Sequence, residues 1–252
     1  MQSSSNAARA AATLLLLGRS GVNGLSLKEL SEEIGDAKPA MLRCLSALIE
    51  YGFAEQVSRG RYRLGPSIYS LARSESAVNV EVATWRSSLV EIAESFGQTV
   101  YLVRRAGLDV VVVDMQVGTS PVQALTSGIG GRLPMGIGAG SVAILGTLDP
   151  ANRTDIILRN APKYARWKLG AERITSHVEQ AAARGYASDI GLFIPECGGL
   201  AVPIRERGHY EAGMSLTLSA PNSFFEMHQP SVVAAKIKQI IQHVQKGQNA
   251  PR

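Results

Sequence analysis

The first quarter of the chain has two hydrophobic patterns, one after the other. Apolar residues three and four positions apart, as in amphipathic helices, occur in residues 7–19, 26–35 and 39–50. The helical spacing then stops, and residues 52–57 and 61–64 favour two strands joined by a three-residue turn. The order of these patterns predicts three helices followed by a β-hairpin. The residues expected to be buried in the third helix are Met41, Leu45, Leu48 and Ile49.

Local signals mark the ends of the second and third helices. Ser26 and Glu29 have the spacing of a capping box, in which each side chain bonds a free amide of the first turn. Gly35 is typical of a helix end, and Pro39 of a first helical position. Two helices joined by a few residues form a helix-turn-helix, so the hairpin that follows is predicted to be a wing.

The helix pair and the wing predict a DNA-binding surface. A recognition helix brings side chains to base edges, and a wing brings cations to phosphates or to the minor groove. The residues expected to face DNA are Lys38, Ala40, Leu42 and Arg43 on the helix and Arg59, Arg61 and Arg63 on the wing. Cys44 is expected to be a small core residue.

This segment resembles a known DNA-binding domain. The helix pair, the Tyr51-Gly52-Phe53 junction and the wing ending at residues 60–65 are similar to those of the IclR family of bacterial transcription regulators. The resemblance implies double-stranded DNA with a palindromic operator as the partner. Two copies of a recognition helix read a palindrome, so a homodimer is expected, with the apolar run 14–17 as its contact. The resemblance further implies pairing of dimers into a dimer of dimers.

From residue 80 onward, strands alternate with helices in a way that predicts an α+β domain on an antiparallel sheet. The expected helices are 80–96, 141–148, 152–160, 171–184 and 229–245, the last with Val232, Val233, Ile237, Ile240, Ile241 and Val244 inward. The expected strands are 99–104, 110–117, 122–126, 186–188, 200–205 and 210–218, with a loop at 128–134.

This second part resembles the effector-binding domain of the IclR family, which has a GAF-like fold. The matching segments, in order, are 132–135, the glycine-rich loop 136–140, 184–186 with Asp189, 200–204 and 215–221. The predicted fold class is therefore α+β. A winged helix-turn-helix domain is expected at 1–66, a linker helix at 67–77 and a GAF-like effector-binding domain at 78–252.

The resemblance implies a small organic acid as effector. Gly138 and Ala139 precede a predicted helix, whose free amides suit a carboxylate. Thr217 and Ser219 lie two positions apart and therefore share one sheet face, while Asp189 would accept a hydroxyl or orient a donor. The effector-binding residues expected are Gly138, Ala139, Asp189, Gly199, Thr217, Ser219, Leu133 and Met135, with Leu192 and Phe193 as further walls.

The sequence also departs from the family pattern. The loop 136–141 is one residue shorter than usual and lacks the frequent His and Lys. Gly199 stands where Cys is frequent, and Pro39-Ala40 where Ser-Thr is common. The loop 190–198 is apolar rather than acidic. These differences leave the effector and the operator sequence open.

Composition adds few constraints. The net charge of +5 over 252 residues permits nucleic-acid binding without requiring it. The two cysteines form neither a disulfide framework nor a metal motif. No membrane span or signal peptide is evident, so a cytoplasmic protein is expected. No metal or cofactor is expected either.

Two other functions remain open at this point. An enzyme could use Cys197 as a nucleophile with His177, His209 or Asp189 as base, although no catalytic signature surrounds Cys197 and no catalytic residue is assigned. Alternatively, the second domain could be structural and bind no ligand. A cavity lined by apolar residues alone would favour that alternative.

Overall fold

The computed structural model describes residues 5–58, 60–74, 77–121, 128–205 and 211–247. They belong to two compact units, which divide between residues 76 and 77. The first unit contains α1 (Ser5–Arg19), a 3₁₀ turn (Gly21–Asn23), β1 (Leu25–Ser26), α2 (Leu27–Ile34), α3 (Lys38–Glu50), β2 (Ala54–Ser58), β3 (Arg61–Leu64) and α4 (Ser67–Arg73).

The capping box predicted for the second helix is confirmed. The Glu29 amide donates to the Ser26 hydroxyl at 3.2 Å, and the Ser26 amide donates to the Glu29 carboxylate at 2.7 Å. Gly35 ends this helix with a φ of +76°, in the left-handed region that favours glycine. Helix α3 begins at Lys38, one residue earlier than predicted, with Pro39 in its first turn.

A small hydrophobic core holds the three helices against the wing. Its buried members are Leu17, Leu30, Met41, Leu45, Leu48, Ala54 and Tyr62. The prediction that Ile49 is buried was wrong, since 39% of it is exposed. Because a helix turns 100° per residue, Ile49 lies about 80° around α3 from Met41, at the edge of the buried stripe. Cys44 is half-buried.

The wing is part of a three-stranded sheet rather than a simple hairpin. Its strand order is β1-β3-β2, and Leu25 of β1 pairs with Tyr62 of β3. Strand β1 has only two residues, too few for a recognisable strand pattern in the sequence, so it was not predicted.

The described residues of the second unit form helices and strands of very different lengths. In chain order they are α5 (Ala77–Phe96), β4 (Thr99–Ala106), β5 (Asp109–Gln116), β6 (Arg132–Pro134), α6 (Ala139–Leu145), α7 (Pro150–Tyr164), a 3₁₀ turn (Ala165–Trp167), α8 (Ala171–Arg184), β7 (Ala187–Ser188), β8 (Cys197–Arg205), β9 (Ala212–Pro221), α9 (Asn222–Met227) and α10 (Pro230–Gly247). The described strands form a sheet of order β6-β5-β4-β9-β8-β7, and each neighbouring pair is antiparallel. The predicted α+β class is confirmed.

The two faces of this sheet cover different hydrophobic cores. Along β4, Val100 and Leu102 pack with α5 and α10, whereas Tyr101 and Val103 pack with α6, α7 and α8. The separation follows from the two-residue period of a strand, which sends successive side chains to opposite faces. The α6 face is the one that carries the site described below.

Two elements and one side chain of this unit differ from the sequence predictions. The segment predicted as a loop at 128–134 contains the short edge strand β6, and α9 was not predicted. Val232 is 63% exposed instead of inward, because it lies about 100° around α10 from Val233, outside the buried stripe. The strand predicted at 122–126 lies outside the described residues.

Candidate functional site

Helix α3 presents cationic residues on the surface of the first unit. Lys38, Leu42 and Arg43 are exposed and Ala40 is half-buried, so all four lie away from the core. Within the described part of the chain, neither Lys38 nor Arg43 forms an ion pair. Both are therefore available to a polyanion.

The two described arginines of the wing are bonded within their own unit. Arg61 donates to the carbonyl oxygens of Asn23 at 3.0 Å and Gly24 at 2.7 Å, and lies 3.6 Å from the Glu29 carboxylate. Arg63 pairs with Glu55 at 2.6 Å. Arg61 thus ties the wing to the turn before α2. Arg59, predicted at the wing tip, lies outside the described residues.

The second unit encloses a cavity of about 300 Å³ between the sheet and the start of α6. Most of the predicted effector residues border it together: Leu133, Gly138, Ala139, Asp189, Gly199, Thr217 and Ser219. Met135 does not border this cavity and is fully buried in the core. Of the two further walls predicted, Phe193 borders it, whereas Leu192 lines a neighbouring cleft.

Asp189 is a buried acidic residue that borders the cavity. It is 7% exposed, and its carboxyl group accepts a hydrogen bond from the Gly199 amide. The Asp189 amide in turn donates to the Gly199 carbonyl oxygen at 2.9 Å. Burial raises the pKa of Asp189 to about 7, against the opposing effect of hydrogen bonds from the Gly199 and Ala139 amides. This carboxyl group therefore changes protonation near neutral pH.

The Ala139 amide belongs to the first residue of α6 and lies close enough to Asp189 to lower the pKa of that carboxyl group, against the larger effect of burial. No side-chain hydrogen bond caps this end of α6. That the amide receives a carboxylate of the ligand stays a prediction.

Glycine at position 140 allows α6 to approach β9 closely. A Cβ there would lie 2.6 Å from Thr217 Oγ1 and 3.2 Å from Ser215 Oγ. The Ser215 hydroxyl donates to the Gly140 carbonyl oxygen at 3.1 Å. Ser219 pairs in register with Gly199, which places it beside the Asp189 contact. The contact between α6 and β9 thus holds the strand that carries Thr217 and Ser219 at the border of the cavity.

Arg166 and Trp167 border the cavity and were not predicted. They lie on the 3₁₀ turn after α7, with the Arg166 guanidinium carbon 5.7 Å from the centroid of the Trp167 ring. Arg166 is exposed and Trp167 half-buried, so the pair lies at the mouth of the cavity. The predicted helix ended at residue 160, six residues before Arg166, so no sequence signal connected this pair with the site.

Helix α7 fixes the position of this turn through buried bonds. The Tyr164 hydroxyl donates to the Met135 carbonyl oxygen at 2.7 Å, and the Asn160 amide group donates to the Leu108 carbonyl oxygen at 2.6 Å. Both acceptors belong to segments that flank β5 and β6. The mouth is therefore attached to the sheet on which the cavity is built.

Cys197 also borders the cavity, in an environment that does not activate a thiol. Burial and the neighbouring Glu196 raise the pKa of Cys197, which disfavours the thiolate. His177 is bonded elsewhere, with Nε2 2.7 Å from the Ser188 carbonyl oxygen. His209, the other proposed base, lies outside the described residues.

The described ranges contain no candidate metal site and no candidate membrane span. No group of three or more His, Cys, Asp and Glu side chains there has an arrangement that could hold a metal ion. No helix in the same ranges combines the length and the apolar character needed to cross a bilayer.

These two units define a class of protein. A winged helix-turn-helix with an exposed cationic helix, followed in the same chain by an α+β unit with a small cavity, is the organisation of a two-domain transcriptional regulator. Residues 5–58 match the model of the IclR helix-turn-helix domain, and residues 76–246 match that of the bacterial transcriptional regulator IclR C-terminal domain. The chain belongs to the IclR family of bacterial transcriptional regulators.

Individual proteins agree with this assignment. The chain is 34% identical to the HTH-type transcriptional regulator Rv1719 of Mycobacterium tuberculosis over 182 residues. The aligned residues cover 71% of this chain and 69% of that protein. The aligned segment thus extends over more than two thirds of both chains.

Solved structures share the fold at lower identity. An IclR family transcriptional regulator from Brucella abortus has a TM-score of 0.77 and 18% identity, covering 99% of this chain and 94% of that one. An IclR homolog from Microbacterium hydrocarbonoxydans, solved in complex with 4-hydroxybenzoate, has a TM-score of 0.70 and 16% identity, covering 96% of this chain and 100% of that one.

Proposed function

We propose that this regulator binds a palindromic operator as a homodimer in the cytoplasm, and that a small organic acid in the cavity changes its affinity for DNA. The observation that carries this proposal is the cavity itself, which combines apolar walls with the buried carboxyl group of Asp189. Ligand sites typically have a mostly apolar surface and a few polar groups that fix orientation.

The size and lining of the cavity support a small effector. A volume of about 300 Å³ lies at the lower end of the range for ligand pockets, as expected for a molecule of about one ring. The homologue of similar fold solved with 4-hydroxybenzoate supports an acid of this size for the present chain.

The alternatives are less well supported by this geometry. A cavity lined by apolar residues alone would be expected in a purely structural second domain. Here Asp189, Thr217 and Ser219 all border the cavity. A catalytic role for Cys197 would need an activated thiol, whereas burial raises its pKa. We therefore propose sensing rather than catalysis for this unit.

The effector would act by shifting a conformational equilibrium. A ligand changes DNA affinity only if it binds the DNA-competent and DNA-incompetent states with different affinities. Repressors and activators share this mechanism, since the sign of regulation depends on the position of the operator.

Thermal-shift screening of the full chain against small carboxylic acids would test this function. At least one acid is expected to raise the melting temperature, because it binds the folded state alone. The same acid should change the affinity for the promoter DNA next to the gene, measured by fluorescence anisotropy. An acid that binds without changing DNA affinity would contradict effector control, and absence of promoter binding at low salt would contradict the proposed operator.

A further inference from the structure

The turn between α2 and α3 is tied to helix α1 by an ion pair. This turn, residues 35–37, connects Ile34 at the end of α2 to Lys38 at the start of α3. Arg9 of α1 donates to Asp36 in the turn through two nitrogens, Nε to Oδ2 at 2.6 Å and Nη2 to Oδ1 at 3.2 Å. Such a two-pronged pair fixes direction as well as distance, because the guanidinium and the carboxylate are both planar.

The backbone of the same turn is bonded to α2. The Gly35 and Asp36 amides both donate to the Ser31 carbonyl oxygen, at 3.0 and 3.2 Å. The Ser31 hydroxyl donates to the Asp36 carbonyl oxygen. The main chain at Asp36 is therefore held by α2 and its side chain by α1, two residues before α3 begins.

Helix α3 begins without a side-chain cap of its own. Its N-cap residue is Ala37, which makes no side-chain hydrogen bond to the first turn. Ser, Thr, Asp or Asn at this position would bond a free amide and fix how the chain enters the helix. In the described part of the chain, no ion pair other than that of Arg9 and Asp36 reaches the turn. The orientation of the start of α3 therefore depends on a bond that α1 supplies.

Helix α1 contacts α3 a second time, close to the first contact. Thr13 is completely buried, and its hydroxyl donates to the Arg9 carbonyl oxygen at 2.8 Å. The same hydroxyl oxygen lies 3.9 Å from Cys44 Sγ in the middle of α3. Arg9 and Thr13 are four positions apart and therefore lie on one face of α1. This face supports both the turn and the body of α3.

The guanidinium of Arg9 has its partners inside its own unit. A further hydrogen bond goes to Asn6 Oδ1 at 2.7 Å, and only 14% of the Arg9 side chain is exposed. We infer that Arg9 is a positioning residue for DNA recognition: paired with Asp36, it sets the orientation of α3 without itself contacting DNA. This inference rests on the operator binding proposed above and adds to it a residue that acts through α3.

Two substitutions that change the charge in opposite directions separate positioning from simple attraction. Arg9→Gln removes a cation and Asp36→Asn removes an anion, yet either one breaks the ion pair. If the pair positions α3, both variants should bind the promoter DNA next to the gene about tenfold more weakly, the loss expected for about one base contact. If charge alone matters, Asp36→Asn should bind DNA more tightly than the wild type. Tighter binding by that variant would overturn the inference.

Fluorescence anisotropy titrations of the full chain against promoter DNA and an unrelated duplex of equal length measure this effect. Affinity for the unrelated duplex should stay within about twofold of the wild type, with the same salt dependence, because sequence-independent binding comes from cations at phosphates. A loss of affinity for both duplexes with a weaker salt dependence in Arg9→Gln would show that Arg9 contacts phosphate. That result would also rule out a positioning role.

The double variant tests whether the two residues act as one pair. Combined, Arg9→Gln and Asp36→Asn should weaken promoter binding no more than either change alone, because each has already removed the same interaction. Additive losses would contradict the inference. The matched controls are Arg159→Gln and Asp155→Asn, which make the same charge changes at an exposed pair on α7. Both should leave promoter affinity unchanged.

Melting curves separate this role from a purely structural one. Each variant is titrated well below its melting temperature, so that only folded protein is compared. A lower melting temperature with unchanged promoter affinity would show that the pair only stabilises the unit, and the inference would fail. Arg9→Lys keeps the charge beside Asp36 and should lose less promoter affinity than Arg9→Gln, whereas an equal loss would count against the ion pair. A wild type without preference for promoter DNA would overturn the proposed operator and this inference together.

Discussion

The buried carboxyl group of Asp189 accepts a hydrogen bond from the Gly199 amide, and its protonation links stability to pH. Burial is the largest effect and raises the pKa to about 7. The folded state therefore holds this proton more tightly than the unfolded chain, whose carboxyl groups titrate near pH 4. Below the pKa of the unfolded chain, the protonated carboxyl group makes its full contribution to the free energy of unfolding. This contribution is lost as the pH rises through the pKa of the folded state.

At the residue scale, Asp189→Asn should reduce the dependence of stability on pH. We expect the melting temperature of the wild type to fall more than that of the variant between about pH 5 and about pH 8, because only the wild type ionises a buried carboxyl group. Asp149→Asn is the control. Hydrogen bonds from the Asn152 and Ala151 amides lower the pKa of Asp149, so its contribution is lost at acidic pH instead. Parallel curves for wild type and Asp189→Asn would contradict the buried ionisation.

Ser219 tests the hydroxyl-bearing side of the cavity. Ser219→Ala should weaken effector binding by about 0.5–1.5 kcal/mol, the usual contribution of one hydrogen bond. Operator affinity without effector should be unchanged, because Ser219 is in the second unit. The measurement is calorimetric titration with the acid identified by screening. Ser95→Ala, an exposed serine on α5 that bonds the Glu91 carbonyl oxygen, serves as control.

Arg43 tests the recognition helix. It is exposed on α3 and has no ion-pair partner within the described ranges. If Arg43 contacts a base edge, Arg43→Ala should cost about 1–3 kcal/mol in operator affinity and relax sequence preference. Anisotropy titrations against operator and unrelated DNA would measure both. Arg159→Ala makes the same charge change in the second unit and should leave operator affinity unchanged. An equal loss of affinity in both variants would show that net charge alone is the cause.

At the scale of elements, the fold depends on close contact between α6 and β9. Gly140→Ala would place a Cβ 2.6 Å from Thr217 Oγ1, so the helix or the strand must shift. Overpacking of this kind costs about 1–3 kcal/mol, and the shift should also weaken effector binding. Urea unfolding and ligand titration would show the two losses together.

Gly213→Ala is the matched control for this contact. Gly213 lies on the same strand, and no atom lies within 4 Å of a Cβ built there. Little change in unfolding free energy is expected. A similar destabilisation by both substitutions would show that strand propensity, rather than contact with α6, is the cause.

The contacts between elements give Arg61 of the wing a structural role beside the predicted contact with DNA. The sequence predicted that Arg61→Ala would weaken binding to all DNA sequences and reduce its dependence on salt. In the structure Arg61 bonds Asn23 and Gly24, which join the wing to α2. Its substitution is therefore expected to loosen the wing as well as to remove a charge.

At the scale of the whole molecule, the first prediction concerns assembly. Helix α1 buries Leu17 in its own core and leaves Leu15 41% exposed, so this run has an unpacked side. Two recognition helices must reach major-groove faces about 34 Å apart to read a palindrome. We expect light scattering at micromolar concentration to give at least a dimer. Leu15→Glu should dissociate it if α1 is the contact, and a monomeric wild type would contradict the proposed assembly.

Local sequence patterns determined most of the secondary structure. The capping box at Ser26 and Glu29, the end of α2 at Gly35 and the bounds of α8 all depend on residues a few positions apart. The two-residue period of β9 likewise placed Thr217 and Ser219 together on the cavity side. Such signals are short-range, so they can be read without knowledge of the fold.

Tertiary structure alone decided which distant groups meet. The Ser215 bond to Gly140 joins residues 75 positions apart, and the Asn160 bond that holds α7 joins residues 52 positions apart. These contacts bring Arg166 to the mouth of the cavity and set α6 against the sheet. Ala139 and Asp189, 50 positions apart in the sequence, border one cavity in the same way. Local periodicity therefore identified the elements, and only the packing of the sheet and helices brought Arg166 and Asp189 to the border of the same cavity.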